Sequence, residues 1–206
     1  MVNNLHDALR SACDVVGIIF RDVPADGRWY STDIADDRHG HGDGRIKLFP
    51  DGAGGIVCNW KGELRPFFVG DDAALTEDER AKRRELIRQA QQEETRRRAK
   101  AARKAATLWE SATPVSAGHA YLVRKGIKAT PALREISTDQ AAAILGYRPQ
   151  ANDEPLTGRL LVAPIEIGGC ISTAELIDEA GRKAAIAGGA KAGGYWAAQP
   201  LPDGQG

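Results

Sequence analysis

Apolar residues at Leu5, Ala8, Leu9 and Ala12 recur at intervals of three and four, the spacing of one helix face, and predict a short amphipathic helix over residues 4–13. The pattern then changes. Residues 27–31, 45–49 and 55–60 are short runs bounded by Asp, Gly or Pro and read as strands. Pro50, Asp51 and Gly52 supply a hairpin corner between two of them. Residues 36–44 contain nothing apolar and read as a loop. From 76 to 111 the chain has neither Gly nor Pro and is rich in Ala, Arg, Lys, Glu and Gln, all good helix formers. Thr76 with Glu79 fits a capping box at its start. Its apolar positions, among them Ala81, Leu86, Ala90, Ala99 and Leu108, are small and sparse, so a long and mostly exposed helix is expected.

Beyond Pro114 the pattern is mostly that of strands. Residues 118–126 give a short helix around Tyr121, Leu122 and Val123, closed by Gly126. The run LLVAPI at 160–165 is a continuous apolar strand, and Gly168 and Gly169 turn the chain into a second strand over 170–177. A third over 183–186 and a fourth over 193–198, carrying Tyr195 and Trp196, complete an antiparallel meander. The expected fold class is α+β, with an N-terminal α+β lobe (1–75), a long basic connector helix (76–113) and a β-meander subdomain (114–206). The Pro- and Gly-rich tail, 199–206, gives the expectation that the chain is cut from a longer protein.

Charge sharpens this picture. The 206 residues carry 28 basic and 28 acidic side chains, but residues 1–75 lean acidic while 80–104 is strongly basic. Arg96, Arg97 and Arg98 span most of a helix circumference and are joined by Lys100, Arg103 and Lys104, with few acidic partners at i+4 positions, a density suited to phosphate backbones. A solvated helix face is the competing interpretation. A second constellation, Arg159, Arg182, Lys183 and Lys191, surrounds the meander, where Gly188, Gly189, Gly193 and Gly194 let a ligand approach the backbone. Tyr195 and Trp196 could stack on an unpaired base or could simply be core. Trp29 and Trp60, beside Arg28 and Lys61, pose the same choice and are assigned to the core.

Several classes are set aside. No run approaches the roughly 18 apolar residues of a membrane span, so a cytoplasmic protein without a membrane partner is expected. Cys13, Cys58 and Cys170 lie too far apart in sequence for a disulfide framework or a zinc ribbon. His39 and His41, beside Asp36, Asp37 and Asp43, read as a solvated loop rather than a metal site, and His119 as a surface histidine rather than a cap or phosphate contact. No nucleotide, hydrolase, metalloprotease or dinucleotide signature occurs, and no catalytic residue or resident cofactor is assigned.

The segment from Arg159 to Trp196, preceded by HAYLVRKGI, resembles the region immediately before the Toprim domain in plasmid and phage DNA primases. The matching residues are Tyr121, Leu122, Lys125, Gly126 and Ile127; Val162, Ala163, Pro164 and Ile165; Glu175, Leu176 and Ile177; Gly181 and Lys183; Gly188 and Gly189; and Gly194 with Tyr195. The segments DGRWYSTDI and DGAGGIVCNWKGE are similar to the N-terminal part of such proteins. The resemblance implies part of a primase that binds single-stranded DNA and helps position a nucleotide. RNA primer synthesis would then rest on a Toprim domain outside this chain, with magnesium on that domain's carboxylates and ribonucleoside triphosphates as substrates. It also implies that a helicase domain or subunit could be a partner. It places Arg159, Lys183 and Lys191, and more weakly Arg182, nearest the nucleic acid or triphosphate, with Arg96, Arg97, Arg98 and Lys100 tracking DNA phosphates. The rival is a non-enzymatic DNA-binding or protein-interaction module that uses the same basic helix.

Overall fold

The computed structural model describes residues 4–36, 42–59, 64–70 and 76–198. His39, His41, Asp37, Trp60, Lys61 and the tail 199–206 lie outside them. The fold is α+β, with antiparallel sheets throughout. The chain forms two compact units, Met1–Gln92 and Glu93–Gly206, and their boundary falls inside one long helix. No helix among the described residues is long and apolar enough to cross a membrane.

In the first unit α1 (Leu5–Val16) begins at Asn4, whose side chain accepts from the Asp7 amide, and ends at Gly17 in the left-handed conformation. Four strands follow: β1 (Trp29–Thr32), β2 (Gly44–Leu48), β3 (Gly54–Asn59) and β4 (Arg65–Phe68), hydrogen-bonded in that order. Leu9, Ala12 and Cys13 of α1 pack on Ile46, Leu48 and Val57. Burial and the neighbouring Asp14 charge push the Cys13 thiol up to about 11, so it remains a thiol at neutral pH. A second cluster joins Phe49, Ile56 and Ala90, with Trp29, Leu86 and Phe68 packed against it.

The long helix α2 (Glu77–Ser111) has the expected capping box: the Glu79 amide donates to the Thr76 hydroxyl, and the Thr76 amide donates to the Glu79 carboxylate. The expectation of a mostly exposed helix is corrected over its last third. Ala101, Ala105, Leu108 and, just past its end, Ala112 are buried at intervals of three and four. Their small side chains let the helix lie close to a sheet, so alanine here marks tight packing rather than exposure.

That sheet, the core of the second unit, has five strands in the order β11-β10-β9-β6-β5. They are β5 (Thr113–Pro114), β6 (Arg134–Ser137), β9 (Arg159–Ile167), β10 (Cys170–Ile177) and β11 (Lys183–Ala185). The meander β9-β10-β11 is present, but the expected fourth strand over 193–198 reduces to a single bridge between Tyr195 and Glu166. Between β5 and β9 lie α3 (Ala120–Lys125), α4 (Thr138–Leu145) and a small hairpin of β7 (Gln150–Ala151) and β8 (Glu154–Pro155). β6 pairs with β9 only from Arg159 to Val162, leaving the later part of β9 without a strand on that side.

Alternation along the strands assigns the two faces. Leu160, Val162, Ala174, Leu176 and Ala184 point to one face, where they meet the last turns of α2 and Ala141 and Leu145 of α4. Leu161, Ala163 and Ile177 point to the other, where Tyr121 and Leu122 of α3 cover only part of the surface. The uncovered remainder is the candidate site.

Candidate functional site

The open part of the second face forms a cleft of about 780 Å³. Leu161, Ala163, Ile165, Glu175 and Ile177 make its floor, Tyr121, Leu122 and residues 127–133 one wall, and residues 191–198 the other. The second wall is a strap with four polar attachments. The Ser172 hydroxyl donates to the Ala190 carbonyl at 2.9 Å, and Lys191 Nζ to Glu175 Oε1 at 2.9 Å. Tyr195 exchanges both backbone hydrogen bonds with Glu166, and Trp196 Nε1 donates to the Ala132 carbonyl at 3.0 Å. Two glycines allow the strap to lie this close. A Cβ on Gly189 would stand 2.0 Å from Thr173 Oγ1, and one on Gly194 2.5 Å from Ile165 Cγ2.

Lys128, Lys183 and Lys191 bring three ammonium groups to this mostly apolar cleft, against the single carboxylate of Glu175. Lys183 Nζ lies 6.0 Å from the centroid of the Tyr121 ring. Trp196 is 39% exposed, enough for one face of its ring to meet a ligand. Such a cleft suits a molecule with an anionic end and a flat or apolar body.

The predicted residues therefore separate into three groups. Lys183, Lys191, Tyr195 and Trp196 line the cleft together. Arg159 and Arg182 do not: Arg159 is bonded to Glu179 at 2.8 Å and lies 3.5 Å from Glu135, and Arg182 holds Asp178 at 2.8 Å and Glu154 at 3.0 Å. Asp178 is fully buried, and its carboxylate accepts from both the backbone and the guanidinium of Arg182. Burial pushes this carboxyl up, but the Arg182 bonds and charge outweigh burial and hold it below its usual value. Arg182 is thus committed to the turn after β10, and Arg159 to the acidic pair beside it.

The helix arginines form the third group, on α2, which packs against the opposite face of the sheet. Here the expectation of few acidic partners is corrected. Glu94, only 13% exposed, takes both Arg97 and Arg98 at 2.8 Å. Burial raises the Glu94 carboxyl, and the two guanidinium bonds overcome that and lower it. The Arg97 stem also lies against Gly188, where an added Cβ would come within 2.9 Å of Arg97 Cγ. Arg96 and Lys100 are exposed, as is Arg103, and none of the three has an ion-pair partner among the described residues. Their i, i+4, i+7 spacing sets them in one stripe spanning about 10 Å.

His119 is corrected from surface to core: it is fully buried and makes no side-chain cap bond to α3. Lys128 and Glu175 were not singled out as cleft residues. Lys128 directly follows the Lys125-Gly126-Ile127 motif, and Glu175 is the lone carboxylate of β10. Either could have been marked by its place, but the strand register is needed to put them on one face. Among the described residues, no three His, Cys, Asp or Glu side chains gather to hold a metal ion. No protein-family profile, curated protein or solved structure matches this chain.

Proposed function

We propose that this chain is the template- and nucleotide-binding part of a cytoplasmic DNA primase whose nucleotidyl-transfer carboxylates and magnesium belong to a domain outside it. The observation that carries this reading is the convergence of Lys183, Lys191, Tyr195 and Trp196 on one cleft floored by the meander. The Trp196 ring there can stack on a base while ammonium groups meet phosphate, the two contacts by which an unpaired nucleotide is held. Single-stranded DNA would run along Arg96, Lys100 and Arg103, a stripe of α2 cations with no ion-pair partner among the described residues. Ribonucleoside triphosphates, and a helicase domain or subunit, complete the expected set of partners. The described residues do not fit the magnesium site, so no chemical step is assigned to them.

Fluorescence anisotropy of a labelled single-stranded oligonucleotide, with a duplex competitor and a salt titration, tests the DNA component. Binding should favour the single strand. Replacing Arg96, Lys100 and Arg103 together by Ala should reduce the slope of log affinity on log salt by about 2, at roughly 0.7 per lost phosphate contact. Replacing Arg97 and Arg98 should change the slope far less, because Glu94 already neutralises part of their charge. Absence of binding at low salt would overturn the DNA role. Equal binding of duplex would favour the rival, a duplex-binding module built on the basic helix.

A further inference from the structure

We propose that Glu175 reads the sugar of the nucleotide in the cleft and makes the site prefer ribose to deoxyribose; this rests on the nucleotide reading given above. The sheet register sets the geometry. Lys183 is aligned with Ile177 and Leu161, while Glu175 is aligned with Ala185 and Ala163, two residues away along β10. Thr173 and Ile165 stand two residues further on, Gly194 lies against Ile165, and Trp196, on the same side of the strap as Gly194, brings its indole ring to this end of the cleft. Successive rows on one face of a sheet are about 7 Å apart. Across the floor the order is therefore ammonium, carboxylate, aromatic ring. A nucleotide presents phosphate, ribose and base in the same order.

The middle position decides the sugar. A carboxylate repels phosphate and can only accept hydrogen bonds, so its natural partner between phosphate and base is a sugar hydroxyl, a role acidic residues fill toward ribose 2′-hydroxyls elsewhere. Lys191 bonds Oε1 of Glu175 at 2.9 Å, which orients the carboxylate and leaves Oε2 for the ligand. Both side chains are about one-third exposed, so the pair is reachable from the cleft without breaking the fold. A 2′-deoxy sugar would leave Oε2 without its donor, and the missing 2′-hydroxyl is what distinguishes DNA from RNA building blocks.

Titration calorimetry of the 206-residue chain with ATP, 2′-deoxy-ATP and 3′-deoxy-ATP tests this. ATP should bind about tenfold more tightly than 2′-deoxy-ATP, the scale of one hydrogen bond to a charged acceptor in a half-open site. Glu175→Gln keeps a bond to Lys191 and should bring the two affinities within about twofold, mainly by losing affinity for ATP. Lys183→Met should weaken both ligands alike. Equal affinities of the wild type for ATP and 2′-deoxy-ATP would overturn the sugar-reading role while leaving the nucleotide site standing. A preference set by the 3′-hydroxyl alone would also overturn it. Failure of all three ligands to bind would remove the nucleotide reading and the inference together. The wild-type comparison needs no variant to fold.

Discussion

The two faces of the five-stranded sheet are built from the same strands and do opposite things. Even-numbered positions of β9 and β10, Leu160, Val162, Ala174 and Leu176, are buried under α2 and α4 in a continuous apolar core. Odd-numbered positions include Ala163, Glu175 and Ile177, and lie in a cleft that α3 covers at one end only. The lesson is that burial on one side stabilises the unit well enough for the other to keep charges and open space. Function can then be altered by substitution on one parity of residues and stability on the other.

The largest effect that would break this division is on the filled face. Leu160→Ala, at a fully buried position, should cost about 2–5 kcal/mol in denaturant unfolding. Ala163→Leu, three residues along β9, grows into the cleft and should change stability by less than about 1 kcal/mol, while calorimetry should show nucleotide affinity falling sharply. Comparable destabilisation by both substitutions would refute the contrast. Lys183→Met should lower nucleotide affinity about tenfold with the melting temperature unchanged, since the contact proposed for this ammonium is a charge-assisted one to the ligand and not a core contact.

Acid stability should divide the same way. Asp178 and Glu94 both have lowered folded-state values, so their stabilising contribution is present above the unfolded carboxylate value of about 4 and is lost as pH falls through the lower folded value. Chemical unfolding should thus show a nearly constant midpoint from pH 7 to about 5 and a decline below about 4, flattened in Asp178→Asn. The smallest effect belongs to Arg98→Ala. It removes one exposed arm of the Glu94 pair and should shift stability by less than about 0.5 kcal/mol in the same assay.

Much of this arrangement is legible from residue order, though not all of it. The alternation in β2, the apolar run of β9 and the glycine turn after it identify strands, and Thr76 with Glu79 marks the start of α2. By contrast, β6 and α4 escape notice because four residues of strand run directly into eight of helix. The capping box of Ser137 and Gln140 and the closing Gly146 were nevertheless available as signals. The basic residues near the meander were visible as a set, but their division was not. Arg182 faces a buried carboxylate and Lys183, its neighbour, faces the cleft, and only register and turn geometry separate them. The same holds for Arg96 against Arg97: adjacent in sequence, they differ by about 100° around the helix, and only Arg97 reaches Glu94.

The short reach of β6 bears on how the protein behaves at high concentration. Past Val162, β9 offers an edge to which another chain could add a strand, the usual route to self-association in β proteins. Pro164 supplies no amide hydrogen along that edge, and Tyr195 occupies the main-chain groups of Glu166. The strap that walls the cleft is therefore also a guard against aggregation. Shortening the chain before Tyr195 should increase self-association in sedimentation or light scattering as well as opening the site.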